Sequence, residues 1–549
     1  MKNKGIFRYV VFFFTAFFLM MPDICPAKEY EVLHSGFSIG TTQRHEWHPW
    51  VEYNSVDDEF LVIWRSSGKL RDDCEPGDEY ECSYSFQGIM GQRISPKGDL
   101  LGATIIISPE EGPNDNVSWK SMPRHAYNPL RNEYIITYTA NTNPSDTMHD
   151  NVINIVRLEA NGTIAGGPNT LYPTIYNASH PDVAFNPLRR EWLVVYNDKY
   201  IFRPDDDFDN PGFILDENGN AISGPFIIGL PIGSNFAPYV DYNPTDDTYM
   251  LAWEDWRYGP PEEPWFFRPA EIYGALAYND GAMLDPEIPV IDDFGLPDTG
   301  TQLMPCITYN PDRNEFLVVW GDTSPSFDGG GVLGRIIMSD GTPKGPDFII
   351  ANTIGTQGAP KSAYVTKNQS YFVVWQDSRD FPFDPDDPWA SESDIYAKWL
   401  NTDGLPIGDD TPIYIGEGNQ GMPSVAYSPA ADRFLIAWRD EHAPGDYEPV
   451  GPGAMMSPEI NADVRGAIYG APGPCAAKEI YGEHSKEVEL MRYVRDNILK
   501  STAEGQELIK LYYQLSPAIV KALKENKEIK EQVRELIDGL LPLIRQDAE

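Results

Sequence analysis

Basic residues are scarce. Of 549 residues, 42 are Lys or Arg against 83 Asp or Glu, for a formal net charge of −41. A phosphate backbone is held by clustered cations, so this balance excludes nucleic acid as a partner and disfavours an anionic membrane surface. Cysteine is sparse, at 5 residues, and histidine at 8. The local signatures of common enzymes are missing: there is no G-x-S-x-G, no H-E-x-x-H, no Walker loop and no dinucleotide fingerprint. His45 and His48 do not have the spacing of a helical zinc site. Long apolar runs are absent after the first two dozen residues, so no later segment is expected to span a membrane.

The N-terminus is laid out as a secretory signal. Lys2, Lys4 and Arg8 precede an uncharged run from Tyr9 to Met21, and Pro22 breaks it. Cys25-Pro26-Ala27 then leads into Lys28-Glu29, which places cleavage after Ala27 and makes residues 1–27 a signal peptide. The apolar run is too short for a comfortable span. The expected address is therefore periplasm, cell surface or exterior. Export permits disulfides. Cys74 and Cys82 bracket a short acidic loop and are expected to pair, whereas Cys306 and Cys475 are expected to stay free thiols.

An internal repeat dominates the rest. It is anchored by Pro49, Pro123, Pro181, Pro238, Pro305, Pro360 and Pro423. An aromatic follows each four residues later, from Tyr53 to Tyr427, and another follows fifteen residues later: Trp64, Tyr138, Tyr196, Trp253, Trp320, Trp375 and Trp438. Each unit reads as four strands. In one copy the first is Pro305–Tyr309, the turn is Asn310–Asn314, and the second is the nearly continuous apolar run Glu315–Trp320. The third strand is like Asp394–Leu400, and an Asp403-Gly404 turn leads to an outer strand such as Pro412–Ile415. Seven four-stranded units predict an all-β fold, a seven-bladed β-propeller over residues 28–472. An eight-bladed ring or two smaller β domains are the other architectures open. The seventh unit stops after Val464–Tyr469 without a fourth strand, while Tyr30–Ile39 belongs to no unit. A strand from the N-terminus is therefore expected to complete the last blade and close the ring.

Trp375-Gln376-Asp377-Ser378-Arg379 followed by Asp394-Ile395-Tyr396-Ala397, and Trp253-Glu254-Asp255-Trp256-Arg257 followed by Glu271-Ile272-Tyr273-Gly274, resemble a repeat of bacterial exported proteins in which V-V-W-x-D-x-R precedes D-I-Y-G. That resemblance implies a propeller and carries no catalytic residue. From residue 473 onward the composition changes, no Trp remains, and the apolar stripes Leu490, Val494, Ile498 and Leu508, Leu511, Tyr512, Leu515 predict a small α-helical C-terminal domain over 473–549. Arg492-Tyr493-Val494-Arg495-Asp496 with Leu499, Gly505, Tyr512-Tyr513 and Ser516-Pro517 are similar to the CFI-box C-terminal domain, which would make it a sorting or association module. Its opening at Cys475 through Tyr481-Gly482 lacks the Phe-Ile of that family.

The long connections all fall between second and third strands, so one face of the ring is expected to be elaborated. Loops on a rigid scaffold are where function concentrates. These loops are acidic: Asp205, Asp206, Asp207 and Asp209 in one, Asp384, Asp386 and Asp387 in another. Both clusters are candidate Ca²⁺ ligands, set against a plain solvated acidic surface. The Asp that follows the repeat aromatic by two (Asp198, Asp255, Asp322, Asp377, Asp440) is expected to pin its loop rather than bind a ligand. His48 and His180, each just before a repeat Pro, mark a packing slot. With no catalytic constellation in view, the expected function is a non-enzymatic scaffold presenting the acidic face to a protein or glycan ligand. The alternative is a secreted hydrolase acting on glycans, for which the carboxylates are too many for sequence to single out a pair.

Overall fold

The computed structural model describes residues 30–40, 45–67, 87–109, 120–141, 151–171, 177–199, 208–229, 234–257, 269–278, 283–290, 300–323, 330–380, 392–442 and 461–470, with Lys530 and Arg534. They form seven four-stranded sheets, the blades of a propeller. In the first six blades the chain runs antiparallel from the inner strand outward, as in Gln357–Val365, Ser370–Asp377, Asp394–Asn401 and Pro406–Tyr414 of blade 6. Blade 7 has three consecutive strands, Asn419–Ser428, Arg433–His442 and Asn461–Gly470, and Glu31–Ser38 supplies its outer strand. The ring is thus closed by the N-terminal strand, as the repeat predicts.

The blades cohere through apolar layers between neighbours. The second strand Glu315–Asp322 is buried along its whole length because it lies inside its sheet and between two blades. The repeat Trp residues are the largest members of these layers: Trp253, Trp320, Trp375 and Trp438 are 0% exposed and Trp64 1%. Trp320 packs with Met250, Ala252 and Ile272 of the preceding blade. Each such side chain removes some 150–250 Å² from water, so its truncation costs about 3–5 kcal/mol.

The repeat Pro has a structural cause that the sequence reading missed. Each inner strand begins several residues before the Pro and carries a β-bulge there, with register shifts at Trp47/Trp50, Ser121/Arg124, Ser179/Asp182, Phe236/Tyr239, Leu303/Cys306, Gly358/Lys361 and Gly421/Ser424. The residue before each Pro is left-handed: His48, Met122, His180, Ala237, Met304, Ala359 and Met422 have φ between 46° and 55°. A bulge leaves one residue out of the ladder, which is where a Pro without an N–H is tolerated. The extra residue re-aims the strand, and in six of the seven blades the residue one position after the Pro lines the axial cavity.

The turns between first and second strands tie neighbouring blades together. Asn54 Oδ1 accepts from the backbone of Val56 and Asp57 at 2.9 and 3.0 Å, and the same side chain donates to Asn132 Oδ1 of blade 2 at 2.9 Å. Asn186 to Asp247, Asn243 to Asn314, and Ser428 to Asp58 repeat the link at 2.7, 2.8 and 2.6 Å. Tyr53, Tyr127, Tyr242, Tyr309 and Tyr427 each donate their hydroxyl to the residue five positions on. The aromatic four residues after the Pro is therefore both core and staple.

The Trp-x-Asp-x-Arg element folds back on itself as expected. Asp377 accepts from Trp375 Nε1 at 2.7 Å, the Arg379 backbone at 2.9 Å and the Arg379 guanidinium at 2.6 Å, and that guanidinium lies 4.0 Å from the centre of the Tyr396 ring. Asp255, Arg257 and Tyr273 repeat the arrangement in blade 4. These Asp residues hold loops, and their Arg partners are already committed.

Several expectations fall outside the described residues: the signal peptide 1–27, Cys74 and Cys82, Cys475, the acidic-loop residues Asp205, Asp206, Asp207, Asp384, Asp386 and Asp387, and, apart from helical Lys530 and Arg534, the C-terminal domain 473–549. The placement of Asp209 in the acidic loop is corrected. Asp209 belongs to the third strand of blade 3, Phe208–Asp216, where it is 0% exposed and stands opposite Asp198. Burial and then the charge of Asp209 push the Asp198 carboxyl up to about 8. Cys306 is a buried free thiol on the inner strand of blade 5.

Candidate active site

The inner strands of all seven blades enclose an axial cavity of about 610 Å³. One position after the Pro, the blades contribute Trp50, Arg124, Asp182, Tyr239, Cys306, Lys361 and Ser424; three positions after it, blades 1, 4 and 5 contribute Glu52, Asp241 and Thr308. Apart from Arg124, all of these line the cavity, which extends to the turn residues Pro129, Pro187, Pro244 and Pro311. The channel thus runs from the ring at the bulges toward the short-turn face. Trp50 and Tyr239 meet across it, with ring centres 6.4 Å apart.

Three carboxylates share this space. Asp182 Oδ2 accepts from the Val240 backbone at 2.9 Å, which fixes it to the next blade. Asp241 is fixed at both oxygens, by the backbones of Tyr242 at 2.8 Å and Tyr309 at 2.8 Å. The Glu52 carboxyl group has no hydrogen-bond partner among the described residues. Their proton affinities separate accordingly. Burial, and then the charges of Asp241 and Asp182, push the Glu52 carboxyl up to about 8. Burial raises Asp182 to about 6, against the opposing charge of Arg124 and the Val240 N–H. Asp241 also stands at about 6, raised by burial against its two backbone donors. The three titrate as one coupled system in which, at neutral pH, Glu52 keeps its proton while the aspartates are largely ionised.

Beyond the ring at the bulges lies a cationic layer. Burial first, and then the charges of Arg65, Arg124 and Arg439, hold His48 well below its ordinary value. His180 is lowered to about 3 by burial and Arg124. Arg65 and Arg439 lie over the Trp47 ring at 5.2 and 4.8 Å. Glu254, at the end of a second strand, accepts from the Met304 backbone at 2.9 Å and is raised by burial to about 7. His48 and His180 are half-buried, and their lowered proton affinities keep them neutral.

No protein-family model and no curated protein matches this chain. Among solved structures it is similar to a GH43_1 enzyme from Xanthomonas citri, with 13% identity, a TM-score of 0.33, and coverage of 55% of this chain and 93% of that one. It is also similar to an α-L-arabinanase from Penicillium chrysogenum, with 10% identity, a TM-score of 0.38, and coverage of 63% and 92%. A third is the GH93 α-L-arabinofuranosidase of Fusarium graminearum, with 11% identity, a TM-score of 0.40, and coverage of 63% and 92%.

The expectation of a non-enzymatic scaffold is corrected. Its premise, that no group of candidate catalytic side chains comes together, fails in the channel, where Glu52, Asp182 and Asp241 line one cavity. Glu52, Asp182 and Asp241 are far apart in sequence and carry no shared local motif. One signal was available: with the seven repeats aligned on Pro, the position after it holds Trp, Arg, Asp, Tyr, Cys, Lys and Ser. A position that differs in every copy of an otherwise regular repeat is where the ring departs from its own symmetry.

Proposed function

We propose that the protein is an exported hydrolase acting on glycans, with the axial channel as its active site. The observation that carries the reading is one protonated and two ionisable carboxyl groups converging from three blades on a single cavity. Glycoside hydrolysis needs an acid that keeps its proton at working pH and a carboxylate that does not. Glu52 is the acid: it donates its proton to the glycosidic oxygen as the bond to the leaving sugar breaks. Asp182, kept ionised by Arg124, is the base: it takes a proton from the water that adds to the anomeric carbon. Burial holds the proton on Glu52, and Asp241, fixed at both oxygens, adds its negative charge to that effect, as does Asp182. Trp50 and Tyr239 offer apolar ring faces of the kind that pack against sugar rings. Export and a helical association module at 473–549 belong to the same proposal.

The test is a turnover screen of the full chain on plant and bacterial polysaccharides and on aryl glycosides. Glu52→Gln and Asp182→Asn should each lower kcat by about 10²–10⁴-fold with thermal stability retained. Turnover that survives both substitutions, or no turnover on any glycan, overturns the reading.

A further inference from the structure

Two cations, Lys361 in the lining of the channel and Arg124 just outside it, act on Asp182 through charge alone and make no hydrogen bond to a carboxylate among the described residues. Lys361, only 8% exposed, lines the cavity, and its ammonium donates one hydrogen bond, to the Pro360 carbonyl at 3.1 Å. Arg124 donates one, from Nη1 to the Pro123 carbonyl at 3.0 Å. Neither forms an ion pair among the described residues. A Lys carries three donors and an Arg five, so most of their donor capacity is unused by the protein. Burying a cation as Lys361 is buried is costly unless something else completes its shell, and Arg124 is half-buried beside it.

The two are also held together. The Arg124 guanidinium lies 4.1 Å from the centre of the Trp50 ring, and Lys361 lies 5.7 Å from the same ring and 5.0 Å from that of Tyr239. The aromatic pair therefore positions both cations at one level of the channel, beside Asp182. A neutral sugar would leave these donors unmet.

We propose that Arg124 and Lys361 form a subsite for the oxyanion of an acidic sugar, a uronate carboxylate or a sulfate ester, in the glycan that the channel takes. This rests on the hydrolase reading and narrows its substrate class. The Arg fork fits two oxygens of such a group, the Lys ammonium supplies a point charge, and the Trp50 and Tyr239 faces receive the ring of the same sugar. The selectivity arises because a buried cation loses its hydration whatever enters, and only an anionic sugar replaces it.

The test uses the full chain and four probes at matched ionic strength: D-glucuronate, N-acetyl-D-glucosamine 6-sulfate, D-glucose and inorganic sulfate. Binding is read by calorimetry and by the shift in melting temperature. Glucuronate or the sulfated sugar should bind at least about tenfold more tightly than glucose and inorganic sulfate, and which of the two does so identifies the oxyanion. Lys361→Gln should weaken that binding by about tenfold, and Arg124→Lys should weaken it while preserving the charge. Arg124→Lys also keeps the question open to test if Lys361→Gln does not fold. Equal binding of all four probes, preference for glucose, or no change in either variant overturns the proposal. Acidic-sugar binding without turnover on any glycan would refute the hydrolase reading and leave this subsite standing. Turnover confined to neutral glycans would do the reverse.

Discussion

The layers between blades and the channel at their centre are built from the same seven blades under opposite rules. Between blades, equivalent positions hold equivalent residues: Trp253, Trp320, Trp375 and Trp438 occupy one slot and are 0% exposed. Along the axis, equivalent positions hold unlike residues, and burial there shifts proton affinity instead of only adding stability. The same desolvation that makes a Trp favourable makes Glu52 retain its proton to about pH 8. Repetition marks the scaffold, and departure from repetition marks the site.

That contrast can be broken by substitution. Trp320→Ala, on the scaffold side, should lower stability by about 3–5 kcal/mol in denaturant unfolding, with the activity per folded molecule preserved. A loss of activity at full stability would mean that the two regions are not separable. Asn186→Ala should cost less, about 1–2 kcal/mol, because it removes one inter-blade bond to Asp247 and two bonds that hold its own turn. An effect as large as that of Trp320→Ala would move the main support of the ring from the apolar layers to the turns.

The channel makes the opposite prediction. Between the ordinary glutamate value of 4.5 and about 8, folded Glu52 holds a proton that the unfolded chain has released. Its contribution to stability is present in full below that window and is lost as pH rises through it. Glu52→Gln lacks this titration, so its melting temperature relative to wild type should rise from pH 4.5 to 8, by roughly 2 °C or more, and then level off. His125 and His180, lowered from 6.5 to about 3 by burial, act in the other direction: their contribution is present above pH 6.5 and is lost as pH falls toward 3, in both proteins alike. A constant difference between the two melting curves would place Glu52 in a solvated setting.

The ring was legible in the sequence because its determinants are local and repeated. A Pro, an aromatic four residues on and a second aromatic fifteen residues on recur within each unit, and the orphan strand at Glu31–Ser38 had one vacancy to fill. The bulge at each Pro was not legible, since it lies in backbone conformation at seven positions that hold His, Met or Ala, from His48 to Met422, and none of these types signals a left-handed residue. The channel was illegible for a related reason. Glu52, Asp182 and Asp241 meet only after the ring closes, and 83 acidic residues give no local cue to these three. Asp209 shows the same limit in reverse: it reads as one of a loop cluster, and strand pairing buries it against Asp198.

The most direct test of the channel as an acid–base site is the pH dependence of kcat/KM on the best glycan from the screen. Asp182 must be ionised and Glu52 protonated, so the profile should be a bell with limbs near pH 6 and pH 8. In Glu52→Gln the residual rate should lose the alkaline limb and keep the acid one. A profile without an alkaline limb in the wild type, or one whose alkaline limb survives in Glu52→Gln, would contradict the assignment of Glu52 as the proton donor.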